Sequence, residues 1–181
     1  LEKHFYDCII PLKNTYVQGS VLDVGSGAGF PGLVWKIMKP ELQVTLLEPT
    51  GKRCTFLKEV ISHLHLENIL VVNERAEEFV VDHRESFDVV TARAVANLNV
   101  LSELCVPLVK VGGYFYALKG AKGKEEELSA SKAMTILGME LKEEEHYTLP
   151  SGERVNLIYI KVKPTDKKYP RNYGQIKKKP L

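Results

Sequence analysis

The chain has 181 residues, 44% hydrophobic and 27% charged, with a net charge of +2. That is enough for one soluble domain with a substantial core. No apolar run reaches membrane-spanning length, no secretory leader opens the sequence, and Cys8, Cys54 and Cys105 are scattered with no C-x-x-C pair. These features exclude a membrane span and a disulfide framework, and they give the expectation of a cytoplasmic protein. No Cys and His cluster has zinc-ligand spacing, so no metal is expected.

In chain order, Glu2–Ile9 reads as the end of a helix that begins upstream, with His4 and Asp7 on one face and Pro11 closing it. Residues 1–18 are therefore expected to be the remainder of an N-terminal helical segment. The organising stretch follows at Ser20–Gly32, SVLDVGSGAGFPG. A short apolar run ends at Asp23, and Gly25, Gly27 and Gly29 come at alternate positions before helical spacing resumes at Leu33. The pattern predicts a strand, a tight turn and a helix whose free N–H groups face a ligand. Gly27, Gly29 and Gly32 also fit the dinucleotide pattern G-x-G-x-x-G. Asp23 separates the two cofactors: a carboxylate at the loop mouth would repel a pyrophosphate, whereas S-adenosylmethionine brings an amino group and a sulfonium. The competing reading is that Asp23 bonds loop amides.

Leu33–Met38 is a predicted helix, Val44–Leu47 a second strand, and Glu48 at its end is placed for ribose hydroxyls. Gly51–Leu66 is predicted as an amphipathic helix with Phe56, Leu57, Val60, Ile61 and Leu64 on its buried stripe. Ile69–Val72 is a third strand, Arg75–Phe79 opens a loop or short helix, and Phe87–Thr91 is a fourth strand with Arg93 just beyond it. A helix over Leu98–Val109 and a Gly112-Gly113 turn lead to a fifth strand, Tyr114–Leu118, closed by Lys119-Gly120. Lys122–Leu137 is a helix whose Glu125–Glu127 run reads as a solvated first turn. Leu141–Leu149 and Val155–Val162 form a hairpin about Ser151-Gly152.

Five strands alternating with helices and a terminal hairpin predict a single doubly wound α/β domain, a Rossmann-like class I methyltransferase fold. Its seven-stranded sheet is mostly parallel, with an antiparallel C-terminal hairpin. Asp23, Glu48, Ala76-Glu77, Arg93 and Lys119 all fall at the carboxyl edge of that sheet, where such folds gather ligands. The last 21 residues hold eight Lys or Arg against Asp166 alone, a charge of +7. The remainder has 17 basic and 22 acidic residues, or −5. Residues 164–181 read as a basic tail for a polyanion, with Tyr169 and Tyr173 interleaved for unpaired bases.

Methyl transfer from a sulfonium needs alignment more than acid–base help. No cysteine ends the fourth strand for cytosine C5 chemistry, and Thr91-Ala92-Arg93-Ala94 replaces the motif used for adenine N6. Guanine N7 carries an unprotonated lone pair and needs no base.

The motifs HFYDCI (His4–Ile9), DVGSGAGFPG (Asp23–Gly32), LLEPTGKRCTFL (Leu46–Leu57), RAEEF (Arg75–Phe79), TARAVANL (Thr91–Leu98), GGYFYALKG (Gly112–Gly120) and KYPR (Lys168–Arg171) occur in this order. With them the chain resembles the glucose-inhibited division protein B family, bacterial guanine-N7 methyltransferases of the 530 loop of 16S rRNA. The resemblance implies S-adenosylmethionine as cofactor, S-adenosylhomocysteine as product, and 16S rRNA or the small-subunit particle as partner, with the enzyme a monomer. It implies that Gly25 and Phe30 line the cofactor beside Gly27, and that Ala76 and Glu77 flank the adenine. Arg93 and Lys119 would be catalytic, with Arg93 reaching the cofactor or the base, and His4, Asp7, Lys119 and Arg171 would face RNA. Two departures stand out. The family's further N-terminal helical segment is absent, and Ile176 sits where relatives more often have proline. The alternatives are a methyltransferase for a small molecule or protein, a nicotinamide-dependent oxidoreductase, and a non-catalytic RNA-binding module.

Overall fold

The computed structural model describes residues 2–181, with side chains from His4 onward. The chain runs α1 (Glu2–Ile9), β1 (Ser20–Val24), α2 (Gly32–Met38), β2 (Gln43–Leu47), α3 (Gly51–His63), β3 (Ile69–Val72), α4 (Ala76–His83) and β4 (Phe87–Arg93). It continues through α5 (Leu98–Cys105), β5 (Val109–Gly120), α6 (Gly123–Leu137), β6 (Met139–Leu149), β7 (Gly152–Lys161) and α7 (Tyr173–Lys178). The sheet order is β3-β2-β1-β4-β5-β7-β6. β1 to β5 pair in parallel and the β6–β7 hairpin adds antiparallel to β5. The order reverses at β1, between β2 and β4, which opens a crevice at the strands' carboxyl ends.

Two apolar layers explain the strand sequences. On β1, Val21 packs with Leu33, Trp35 and Leu57 on one face, while Leu22 and Val24 join Phe79, Leu101 and Met134 on the other. A strand covered on both faces reads as a continuous apolar run, which is why β1 shows no alternation. Trp35 is fully buried and its indole N–H donates to the Cys8 carbonyl at 2.7 Å, tying α2 to α1. Among the described residues no helix is long and apolar enough to cross a membrane.

Four expectations are corrected here. α3 ends at His63, three residues early, and Leu64 is followed by His65 at φ 52°. Its buried side chains are Cys54 and Leu57, while Phe56 and Leu64 are about half exposed. Phe56 lies one residue, about 100°, round the helix from Leu57 and so points away from the sheet. The predicted helix to Val109 stops at Cys105, because Pro107 follows in a 3₁₀ turn. Gly112-Gly113 then lies inside β5 as a bulge, where pairing slips from Phe87–Val109 to Val89–Tyr114. A Cβ on Gly113 would stand 2.8 Å from the Asp88 carbonyl oxygen, so the chain needs glycine there for close strand approach.

The fourth correction concerns the tail, where Tyr169, read as suited to unpaired bases, is instead buried. Thr165 donates to the Leu137 carbonyl at 2.7 Å, and Arg84 donates to the Tyr169 carbonyl at 2.5 Å. Tyr169 and Ile176 are buried in the core. Arg171 forks onto the fully buried Glu103, with Nε 2.9 Å from Oε1 and Nη2 2.7 Å from Oε2. A buried carboxylate requires a charged partner, and the tail supplies it.

Candidate functional site

The carboxyl ends of β1, β2, β4 and β5 meet at the glycine turn. Gly25 N–H and Ser26 N–H both donate to the Leu47 carbonyl, at 2.8 and 3.2 Å, which locks the turn to β2. Gly25 has φ +70°, and a Cβ there would lie 2.7 Å from Val95 Cγ2, so no other residue fits. Glu48 is buried at the end of β2. It accepts from Gly27 N–H at 3.0 Å and from Thr50 N–H at 2.7 Å, stapling the turn from beneath.

Asp23 has no exposed surface. Its Oδ2 accepts from Gly32 N–H at 2.9 Å, and its Oδ1 is buried without a hydrogen-bond partner. The loop-bonding reading thus holds for one oxygen, and the other remains a buried acceptor. Burial pushes this carboxyl up to about 7, against the lowering effect of the Gly32 and Ser26 hydrogen bonds and the Arg93 charge.

Two hollows open beside the turn. The first, about 190 Å³, is mostly apolar and lies between Gly25, Leu47, Pro49, Ala76, Glu77 and Tyr173. The second, about 480 Å³, is lined by Asp7, Arg93, Asn97, Lys119, Glu126 and Arg154. Val95 lines both, so the loop after β4 is the partition between them. A larger hollow of about 530 Å³ opens on Tyr16, Gln18, Asp88 and Lys110 and holds none of the expected site residues.

The second hollow is a charged lattice. Arg93, the last residue of β4, lies 3.7 Å from Asp7 Oδ2, hydrogen-bonds the His4 ring, donates to Cys8 Sγ at 3.3 Å, and sits 5.8 Å from the Phe30 ring centroid. Phe30 also packs on Phe5 and His4, so its ring belongs to this α1 contact and not to the apolar hollow. Asp7 Oδ1 accepts from Tyr147 O–H at 2.8 Å and pairs with Arg154 at 3.3 Å. Lys119 is buried, bonded to the Ala96 carbonyl and to Glu126, both at 2.8 Å. Glu126 also accepts from Leu98 N–H at 2.9 Å. This corrects the solvated reading of the Glu125–Glu127 run, since Glu126 holds the Val95 loop and Lys119 in place.

The structure thus gathers Asp23, Gly25, Gly27, Glu48, Ala76 and Glu77 around the turn and first hollow, and His4, Asp7, Arg93 and Lys119 around the second. Arg171 stands apart, in the anchor of the tail. Sequence reading missed Arg154, Tyr147 and Glu126. Arg154 reaches the site only through the β5–β7 register, which sets it opposite Gly120, and no local motif marks that pairing. Burial raises all three thiols, Cys8 to about 12, so none is a thiolate nucleophile.

The family model described as rRNA small subunit methyltransferase G matches residues 1–155. The ribosomal RNA small subunit methyltransferase G of Lysinibacillus sphaericus is 51% identical over 99% of this chain and 78% of its own length. The protein of that name from Lactobacillus helveticus is 49% identical over the same shares. Among solved structures, M. jannaschii TYW2 in complex with AdoMet aligns with a TM-score of 0.63 and 15% identity, over 88% of this chain and 75% of that one, a likeness of fold.

Proposed function

The chain belongs to the rRNA small subunit methyltransferase G family, and from that premise we propose that it methylates N7 of a guanine in the 530 loop of 16S rRNA, with S-adenosylmethionine as donor. The observation that carries this reading is the pair of hollows on either side of Val95, one apolar beside the glycine turn and one lined by three cations and two carboxylates. The cofactor supplies an electrophilic methyl on a sulfonium.

The residues fit that cofactor. The first hollow offers Ala76 and Glu77 to an adenine, Glu48 stands at the strand end where ribose hydroxyls bind, and the unpartnered Asp23 Oδ1 is a buried acceptor for a cation. In the second hollow Arg93, Arg154 and Lys119 present positive charge to phosphate and to guanine O6. N7 methylation leaves the base cationic, and Asp7 and Glu126 are the carboxylates there that offset it. One chain contains both hollows, so the reading needs only a monomer acting on ribosomal RNA or its small-subunit particle in the cytoplasm. The test is to incubate unmethylated small-subunit RNA with methyl-labelled donor and digest the product. Label is expected in 7-methylguanosine, and label in any other nucleoside overturns the reading.

Asp23 provides a second expected result. With its carboxyl near 7 in the free protein against 3.8 unfolded, folding takes up a proton between those values. Stability of the free protein therefore falls as pH rises through that window. A cationic ligand at Oδ1 favours the ionised form, so binding near pH 6 should release up to about one proton, and binding near pH 8 almost none. Calorimetry in two buffers of different ionisation enthalpy measures this. Asp23→Asn should abolish the release.

A further inference from the structure

Tyr173 is partly buried and packs against the core. It begins α7, within a tail held by Arg171 on Glu103 and by the buried Ile176. That anchoring sets its side chain on the lining of the first hollow, across from Ala76 and Glu77. The Arg75 guanidinium lies 4.7 Å from the Tyr173 ring centroid, and Glu77 holds that guanidinium at 2.6 Å. Arg75 and Glu77 thus brace the ring from the start of α4, and the Gln175 N–H donates to the N-cap Asn172 Oδ1 at 2.9 Å, which fixes the turn that carries the ring. The hollow is mostly apolar and bounded by Leu47, Pro49 and Val95, an environment suited to an aromatic base.

We propose that the C-terminal tail completes the cofactor site, with Tyr173, braced by Arg75, as the aromatic wall against which the adenine of S-adenosylmethionine packs. The inference rests on the reading of the first hollow as the adenine pocket. It makes the basic tail part of the cofactor site before it is part of any RNA surface. It also explains why a tail rich in lysine is pinned by a buried ion pair. A wall that must stand within packing distance of a small ligand cannot be left on a mobile arm.

The test uses the full chain and S-adenosylhomocysteine as the probe, with binding followed by calorimetry. Tyr173→Ala should weaken binding about tenfold, from the loss of one aromatic packing partner and its buried area, and Tyr173→Phe should restore it to within about twofold. Unfolding midpoints without ligand report whether each variant keeps its fold. Tyr173→Trp adds a direct reading, because its emission should change when the ligand binds, while the fully buried Trp35 gives the background in the parent. Equal affinity of Tyr173→Ala and parent, or unchanged emission from Tyr173→Trp at saturating ligand, overturns the proposal. A parent that binds no S-adenosylhomocysteine at all defeats the earlier cofactor reading instead, so the two failures are distinct.

Discussion

Replacing Arg93 by alanine is expected to lower kcat/KM for small-subunit RNA by about 100- to 1,000-fold, with cofactor affinity changed by no more than about tenfold. Arg93 joins α1 to the sheet edge through Asp7, the His4 ring and Cys8. Its side chain is only 17% exposed, so these contacts act in a poorly screened setting. Removing it leaves the buried Asp7 to Arg154 and Tyr147 alone. The lattice lining the second hollow then loses its shape and one unit of positive charge. Arg93→Lys keeps the charge but loses the fork that serves several partners at once, so it should recover only a minor part. Steady-state kinetics on RNA, with cofactor binding measured separately, checks the split. A variant within about threefold of the parent in kcat/KM would remove Arg93 from the reaction and leave it a packing residue.

The second large effect is on stability. Arg171→Ala is expected to destabilise the protein by about 3 kcal/mol, the lower end for a broken buried pair, because the Arg171 side chain is itself 25% exposed and partly screened. The cost arises from Glu103, which has no exposure and would keep only the backbone N–H of residue 171 as a partner. Against the total of about 5–15 kcal/mol typical of a domain, such a loss is large. Urea denaturation should show a lower midpoint at unchanged slope. Glu103→Gln in the Arg171→Ala background should recover most of it, since a neutral amide costs less to bury than a lone carboxylate. If Arg171→Ala instead keeps full stability and loses RNA affinity, the arginine faces the nucleic acid, as the resemblance to relatives first implied.

The contrast between Arg93 and Arg171 also shows where sequence reading reaches its limit. Both are arginines in recognisable motifs. Arg93 ends a strand whose carboxyl edge is fixed by the βαβ order alone, so its place at the site was legible. Arg171 follows the last strand, where no periodicity sets direction, and its charge read as part of a basic tail for a polyanion. The deciding fact was Glu103, the one acid of α5, 68 residues earlier in the chain, which only the fold brings beside it. Tyr169 and Tyr173 follow the same logic, since their interleaving with lysine says nothing about which way the backbone turns them.

The sequence by itself determined the alternation of strands and helices, the glycine turn with Asp23 before it, and the acid at the end of β2. These are local matters of period, φ and spacing, and short-range sterics settle them. Only the tertiary structure decided which charges meet. Asp7 joins Arg93 and Arg154 across 86 and 147 residues, Glu126 turns inward to Lys119, and Tyr173 closes a hollow begun at Gly25. Burial makes each of those ionic pairings compulsory once the backbone has brought the partners together, and no local pattern encodes the register that does so.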